Sequence, residues 1–144
     1  MEIKIISPDD PEFGARAKEI VDIYNSESEA PFDESLNVTN PKSVKLIYVA
    51  GCGGGVITDA WYHKNGDLAF HSVMFAAFPV SERRKGYLRA CLEYADYPIE
   101  TVQINGGDPI KIWEKLGFTK KGTLGFSTML RSREFDGIKW GVWI

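Results

Sequence analysis

Four residues, Arg83-Arg84-Lys85-Gly86, carry the clearest chemistry in the sequence. They stand between an apolar run, Leu68 to Phe78, and a segment with Leu88, Cys91, Leu92 and Ala95 at helical spacing. The N–H groups of a helix's first turn have no intrahelical partner, and the positive end of the helix dipole lies behind them. A glycine there lets the backbone approach a phosphate closely, and Arg and Lys add charge without supplying every hydrogen bond. The cluster therefore has the makings of an anion site. The same composition also occurs in plain solvated turns, so by itself it specifies nothing further.

Other reactive residues are scattered. His71, in the middle of the Leu68–Phe78 run, is the best single candidate for a general base, because imidazole titrates near neutral pH; its plainer role is a satisfied histidine within a sheet. Glu100 and Asp67 are weaker candidates at strand ends, where acids are usually solvated. Cys52 and Cys91 have neither the paired spacing of a zinc site or disulfide framework nor a sequence tie to His63 or His71, so no covalent nucleophile and no metal are expected. The glycine run Gly51 to Gly55 lacks a following Gly-Lys-Ser/Thr and a helix, which makes it a hairpin turn or bulge, not a phosphate loop. Trp61, Tyr62, Phe70, Phe75 and Phe78 either line an acceptor pocket or fill the core, as aromatics on half-buried strands usually do.

Around these residues the chain reads as one α+β (mixed α/β) domain over residues 1–144, without repeats or low-complexity tracts. IKII is a short strand, and Ser7 to Pro11 opens a helix with Phe13, Ala17, Ile20, Val21 and Tyr24 on one face. Residues from about 26 to 41 have no period and read as a loop or short helix lining a cleft. KLIYVA, VITDAWYH and LAFHSVMFAAF follow as an antiparallel meander, the last two joined by an Asn65-Gly66 turn whose two central residues are expected at positive φ. LAFHSVMFAAF is apolar on both faces apart from His71 and Ser72, the pattern of a central strand covered on each side. Arg83 to Ala95 is predicted as a helix and TVQI as a strand. Asp108-Pro109 is a predicted cap for a helix ending at Gly117, and a final β pair is placed at about 118–131 and 138–144. Trp140 and Trp143 face opposite sides of that last strand, one for packing inward and one for a loop or a second subunit of a homodimer.

RRKGYLRACL resembles the R-x-x-G-x-G/A signature of GNAT acyl-CoA N-acyltransferases, with Arg83 and Gly86 at its first fixed positions and Phe78 at the apolar position before them. WEKLGF, Trp113 to Phe118, is similar to that family's Y-x-K-x-G-F element, and Asn105 falls near the family's asparagine after the fifth strand. The resemblance implies a mostly antiparallel sheet that splays open between strands four and five, flanked by helices, with acetyl-CoA or another acyl-CoA in the gap. It implies Phe78 and Val80 beside the pantetheine arm, the loop Arg83, Arg84, Lys85, Gly86, Tyr87 and Leu88 on the pyrophosphate, and Asn105 and Trp113 toward the thiol. The acyl group would pass directly to an amine, small-molecule or peptide, arriving from the other side.

Three positions depart from the family's pattern. Leu88 replaces a small residue of the loop, and Pro79 removes an N–H from the strand end beside the cofactor. Trp113 stands where relatives have a tyrosine that protonates the departing thiolate; an indole N–H donates a hydrogen bond but is no acid at neutral pH. Tyr87, Tyr94 and Tyr97 are alternatives that spacing does not separate. A GNAT-like domain that binds CoA or a protein partner without turnover is the second expectation.

Composition narrows the partners. With 144 residues, 44% hydrophobic and 26% charged, the chain can bury its own core without disulfides or metal. A net charge of -3 argues against general nucleic-acid binding and mildly favours a cationic partner. No stretch approaches the roughly 18 apolar residues of a membrane span, and MEIKIISPDDPEF lacks the basic and apolar regions of a signal peptide, so a cytoplasmic protein with free thiols is expected.

Overall fold

The computed structural model describes residues 1–27, 42–104, 108–123 and 127–134. Its elements in chain order are β1 (Ile3–Ile6), α1 (Phe13–Glu27), β2 (Val44–Val49), β3 (Gly55–Tyr62), β4 (Leu68–Ala77), α2 (Tyr87–Tyr94), β5 (Ile99–Gln103), α3 (Ile110–Lys115), β6 (Lys120–Thr123) and β7 (Ser127–Leu130), with one 3-10 turn at Val80–Glu82. The strands form a seven-stranded sheet in the order β1-β2-β3-β4-β5-β7-β6. Every neighbouring pair is antiparallel except β4 and β5, which run parallel. This is a mixed α+β fold.

The apolar periodicities explain the layering. Phe13, Ala17, Ile20 and Val21 recur on one side of α1 and pack on Leu46, Tyr48, Ile57 and Phe75 of the sheet. Cys91 and Leu92 of α2 and Trp113 of α3 pack on the opposite face, over Ile47, Val56, Val73, Val102 and Met129. Alternate residues of β2 thus feed separate cores, Leu46 and Tyr48 beneath α1, Ile47 and Val49 beneath α2 and α3. Buried Ile20 and Phe70 each contribute about 1.5–3 kcal/mol by leaving water. β4, fed on both faces, is central, as its two-sided apolar pattern implies.

Turn chemistry differs from the sequence expectation in places. The β3–β4 hairpin turns on residues 64–66, but only Gly66 has positive φ (91°); Gly66 N–H donates to His63 C=O and His63 N–H to Asp67 C=O. That is a three-residue loop with glycine in the left-handed position, while Asn65 uses its side-chain oxygen to hold Asp67 N–H. α3 ends as expected: Gly117 N–H bonds Glu114 C=O, Phe118 N–H bonds Trp113 C=O, and the Trp113 and Phe118 rings meet edge to face at 5.7 Å. This pairing of two bonds and one apolar contact is a Schellman ending. Asp108 does not cap α3; its carboxylate accepts from Tyr24 instead.

Two element boundaries are corrected. The stretch from Phe118 to Arg131 is not one strand but the hairpin β6–β7, with Thr123 opposite Ser127; the whole run is too long for an ordinary strand. The partner strand expected at 138–144, with Trp140 and Trp143, lies outside the described residues. The helix expected from Arg83 begins at Tyr87, since Arg84 and Gly86 both have left-handed φ and cannot join it. No described helix is long and apolar enough to cross a membrane.

Candidate ligand cleft in the fork of the sheet

The parallel pairing of β4 with β5 is short. His71 pairs with Ile99, Ser72 with Thr101 and Val73 with Val102. From Met74 to Ala77 β4 keeps its pairing with β3, through Phe75, Ala76 and Ala77, but has no partner on the β5 side among the described residues. Between Ile57 and Thr58 the partner on β4 jumps from Phe75 to Val73, which leaves Met74 as a bulge at the point where the strands part. A bulge bends its strand and sharpens the twist, so this one helps to open the fork.

A cavity of about 560 Å³ occupies the fork, within the range of small-molecule sites. Its walls include Val73 to Phe78 from β4, Val102 and Gln103 from β5, Trp113 and Leu116 from α3, and Tyr24 from α1. At one end lie Arg83, Arg84, Gly86, Tyr87 and Leu88. This edge of β4, without a partner among the described residues, presents alternate N–H and C=O groups that an extended ligand with amide groups can pair as though it were a strand.

The basic turn leads into the start of α2. Gly86 caps α2 at φ 79° with no side-chain cap, so the first N–H groups of α2 are open to a ligand; the first intrahelical bond runs from Ala90 N–H to Gly86 C=O. A Cβ on Gly86 would meet nothing within 4 Å, so the glycine is required by backbone conformation and not by crowding. Arg84 is a non-glycine residue at φ 63°, a conformation costing about 1–2 kcal/mol.

The basic side chains divide by role. Arg83 donates to Phe78 C=O (2.8 Å) and pairs with Glu27, tying the end of β4 to the end of α1. Lys85 is paired with Glu82 at 3.6 Å and is not a cleft wall. Arg84 makes no ion pair among the described residues and does line the cleft. Arg84, more than Arg83, is the cation left for a ligand.

No family model, curated protein or solved structure matches this chain.

The remaining candidates fall on both sides of the cleft's boundary. Phe78, Tyr87, Leu88 and Trp113 line it, whereas Val80 sits on the 3-10 turn, 74% exposed, and is not a wall. Asn105 lies outside the described residues. Trp113 is buried against Phe118 in the core beneath α3, so its ring is also a packing element. His71 is far from solvent, 3% exposed, in the closed part of the β4–β5 pairing and not a cleft wall. Its Nδ1 shares a hydrogen bond with Thr58 Oγ1 (2.9 Å), its ring stacks on Tyr97 at 4.0 Å, and Tyr97 Oη reaches the same threonine at 3.3 Å. Burial, with Lys45 nearby, lowers the His71 pKa to about 4, and burial pushes the Tyr97 phenol up to about 12. These values and contacts fit the satisfied histidine. Glu100 is raised by burial at the start of β5, Asp67 holds the hairpin turn, and Tyr94 is exposed; none of the three is a wall of the cleft.

Of the aromatics, Phe75 and Phe78 reach the cleft, while Trp61 and Phe70 stack in the core at 6.0 Å. Cys91 is fully buried, and burial pushes its thiol up to about 12. Cys52 is half-buried and raises the Tyr87 phenol through a hydrogen bond. Among the described residues no cluster of His, Cys, Asp or Glu is arranged to hold a metal ion.

Sequence reasoning missed one pair. The Tyr24 hydroxyl donates to Asp108 at 3.0 and 3.3 Å, joining α1 to the start of α3 across the cleft, and both residues are walls. Tyr24 edges onto Phe75 at 5.3 Å. Its signal was a polar tip at the end of an otherwise apolar helical stripe.

Proposed function

We propose that this chain is a GNAT-type N-acyltransferase that moves an acyl group, acetyl first among candidates, from acyl-CoA to an amine. The observation that carries the reading is the fork: a β4 edge without a partner among the described residues, beside an apolar cleft that ends at an uncapped, left-handed, basic turn. Its residues fit an acyl-CoA. Phe78 and the Met74–Ala77 edge suit an amide-bearing arm, and the α2 N–H groups with Arg84 suit a pyrophosphate. The likeness of RRKGYLRACL and WEKLGF to the GNAT motifs supports the same assignment independently.

In this reaction the amine nitrogen forms a bond to the thioester carbon, the C–S bond breaks, the thiolate takes up a proton and the ammonium loses one. The protein's contribution is position and hydrogen bonds to the developing oxyanion. Tyr24 with Asp108, and Tyr87, are proton-carrying groups at the cleft. His71 takes no part in this scheme.

Trp113 keeps a second reading open: it is packed in the core where relatives have an acid, which suits a domain that binds CoA or a protein partner without turnover. Thiol release from acetyl-CoA with a panel of amines separates the two. Turnover is expected, with Arg84→Ala raising KM for acetyl-CoA by roughly 10-fold through loss of a charged hydrogen bond. Acetyl-CoA binding without thiol release on any amine would leave the binding domain; no binding would remove both readings.

A further inference from the structure

Two more cations line the cleft beyond the basic turn, Arg89 on α2 and Lys115 at the end of α3. They are tied together: Arg89 Nη2 donates to Lys115 C=O at 3.3 Å, so the guanidinium lies against the last turn of α3. Arg89 is the third residue of α2. Side chains on a helix lean toward its N-terminus, which carries Arg89 toward the open N–H groups that follow Gly86. An anion seated at those N–H groups therefore has the Arg89–Lys115 pair as its neighbour along the cleft wall.

Within the described residues this charge is left over. Lys115 makes no ion pair there, and Arg89 has only a long contact with Glu93, 3.9 Å between two exposed side chains, of the kind that contributes little. Arg83, by contrast, is held by Glu27. Lys115 also suits the negative end of the α3 dipole, but that role asks for nothing from α2. Arg84, Arg89 and Lys115 thus gather on the walls of one cleft in a chain whose net charge is -3. That is more positive charge than a pyrophosphate already met by the α2 N–H groups and Arg84 requires.

We infer that Arg89 and Lys115 form a second anion subsite for a phosphomonoester, the 3′-phosphate of coenzyme A, and so select CoA over pyrophosphate ligands that lack it; that the ligand is CoA rests on the acyl-transfer reading above. Near pH 7 a phosphomonoester carries about -1.5 to -2 charge and three strong acceptor oxygens. The bond to Lys115 uses one N–H of the Arg89 guanidinium and leaves others to meet those oxygens, while the Lys115 ammonium adds a point charge beside them. Dephospho-CoA keeps the pyrophosphate and the arm. It leaves this pair empty and gives up that share of the affinity alone.

The test is calorimetric titration with CoA and with 3′-dephospho-CoA, at low and high salt, of wild type, Arg89→Ala, Lys115→Ala, Lys115→Glu and Arg84→Ala. Wild type is expected to bind CoA roughly 10-fold more tightly than dephospho-CoA, a preference that shrinks as salt screens the exposed pair. Arg89→Ala and Lys115→Ala should each bring the ratio to roughly 3-fold, and Lys115→Glu to one or below, by weakening CoA while dephospho-CoA binds as before. Unchanged affinity for dephospho-CoA is the reading that a misfolded variant would not give. Arg84→Ala should weaken both ligands alike and keep the ratio. Equal binding of the two ligands by wild type, or a preference that survives Lys115→Glu, overturns the inference and spares the acyl-transfer reading, which needs only that CoA bind. A wild-type protein that binds neither ligand removes both.

Discussion

Two sets of buried polar side chains stand back to back on the same stretch of β4. On the α2–α3 face, Thr58, His71 and Tyr97 close on one another within hydrogen-bond and stacking distance. On the α1 face, Ser72, Thr101, Gln103 and Thr128 carry atoms with no partner among the described residues, beside Asp59, whose carboxylate accepts from Ala60 N–H. Burial is nearly equal, so burial does not tell the two sets apart; satisfaction does. A closed network stabilises a fold, and an open patch costs stability.

The largest expected effect comes from acid. His71 has its folded pKa depressed from 6.5 to about 4, so its contribution is present above 6.5 and lost as pH falls through 4. Asp59 has its pKa raised from 3.8 to about 6, so its contribution is present below 3.8 and lost as pH rises through 6. Each amounts to about 3 kcal/mol, and between pH 4 and 6 they oppose. Asp59→Asn therefore uncovers a stability that rises by about 3 kcal/mol from pH 4 to 6.5, where wild type stays nearly flat; urea midpoints against pH measure it. Parallel curves for the two proteins would contradict the difference between the faces.

Next in size is Thr58→Val, which leaves His71 Nδ1 and Tyr97 Oη without their shared hydroxyl. A loss of about 1–3 kcal/mol at pH 7 is expected in urea unfolding. Smallest is Thr101→Val on the other face, within about 0.5 kcal/mol of wild type or more stable, because the hydroxyl it removes has no partner to lose. A Thr101→Val loss as large as that of Thr58→Val would mean that the patch is a satisfied network after all.

Much of this fold was readable from period alone. The meander, the three helices and the central place of β4 follow from alternation, helical spacing and turn residues, which act over a few positions. The hairpin within 118–131 was not readable as such, because KKGT and STML are short and weakly alternating and take their definition from pairing with each other and with β5. At the site, the basic turn was legible and its division of labour was not. Arg83 and Arg84 are adjacent and alike in type, yet Glu27, far off in sequence, holds one and leaves the other. His71 drew attention by its chemistry alone; Thr58 and Tyr97, which satisfy it, are reachable only through the folded sheet. The polar patch was invisible for the same reason, since its members come from four strands and meet only in register.

The central claim is that the turn at Gly86 holds the phosphates of an acyl-CoA, and calorimetric titration with acetyl-CoA tests it most directly on wild type, Gly86→Asn and Gly86→Asp. Asn and Asp accept left-handed φ similarly and differ in charge. Binding by wild type, modest weakening in Gly86→Asn and loss in Gly86→Asp is the result predicted, because only the last sets a carboxylate against the pyrophosphate. No heat from wild type, or equal binding by the two variants, would contradict it.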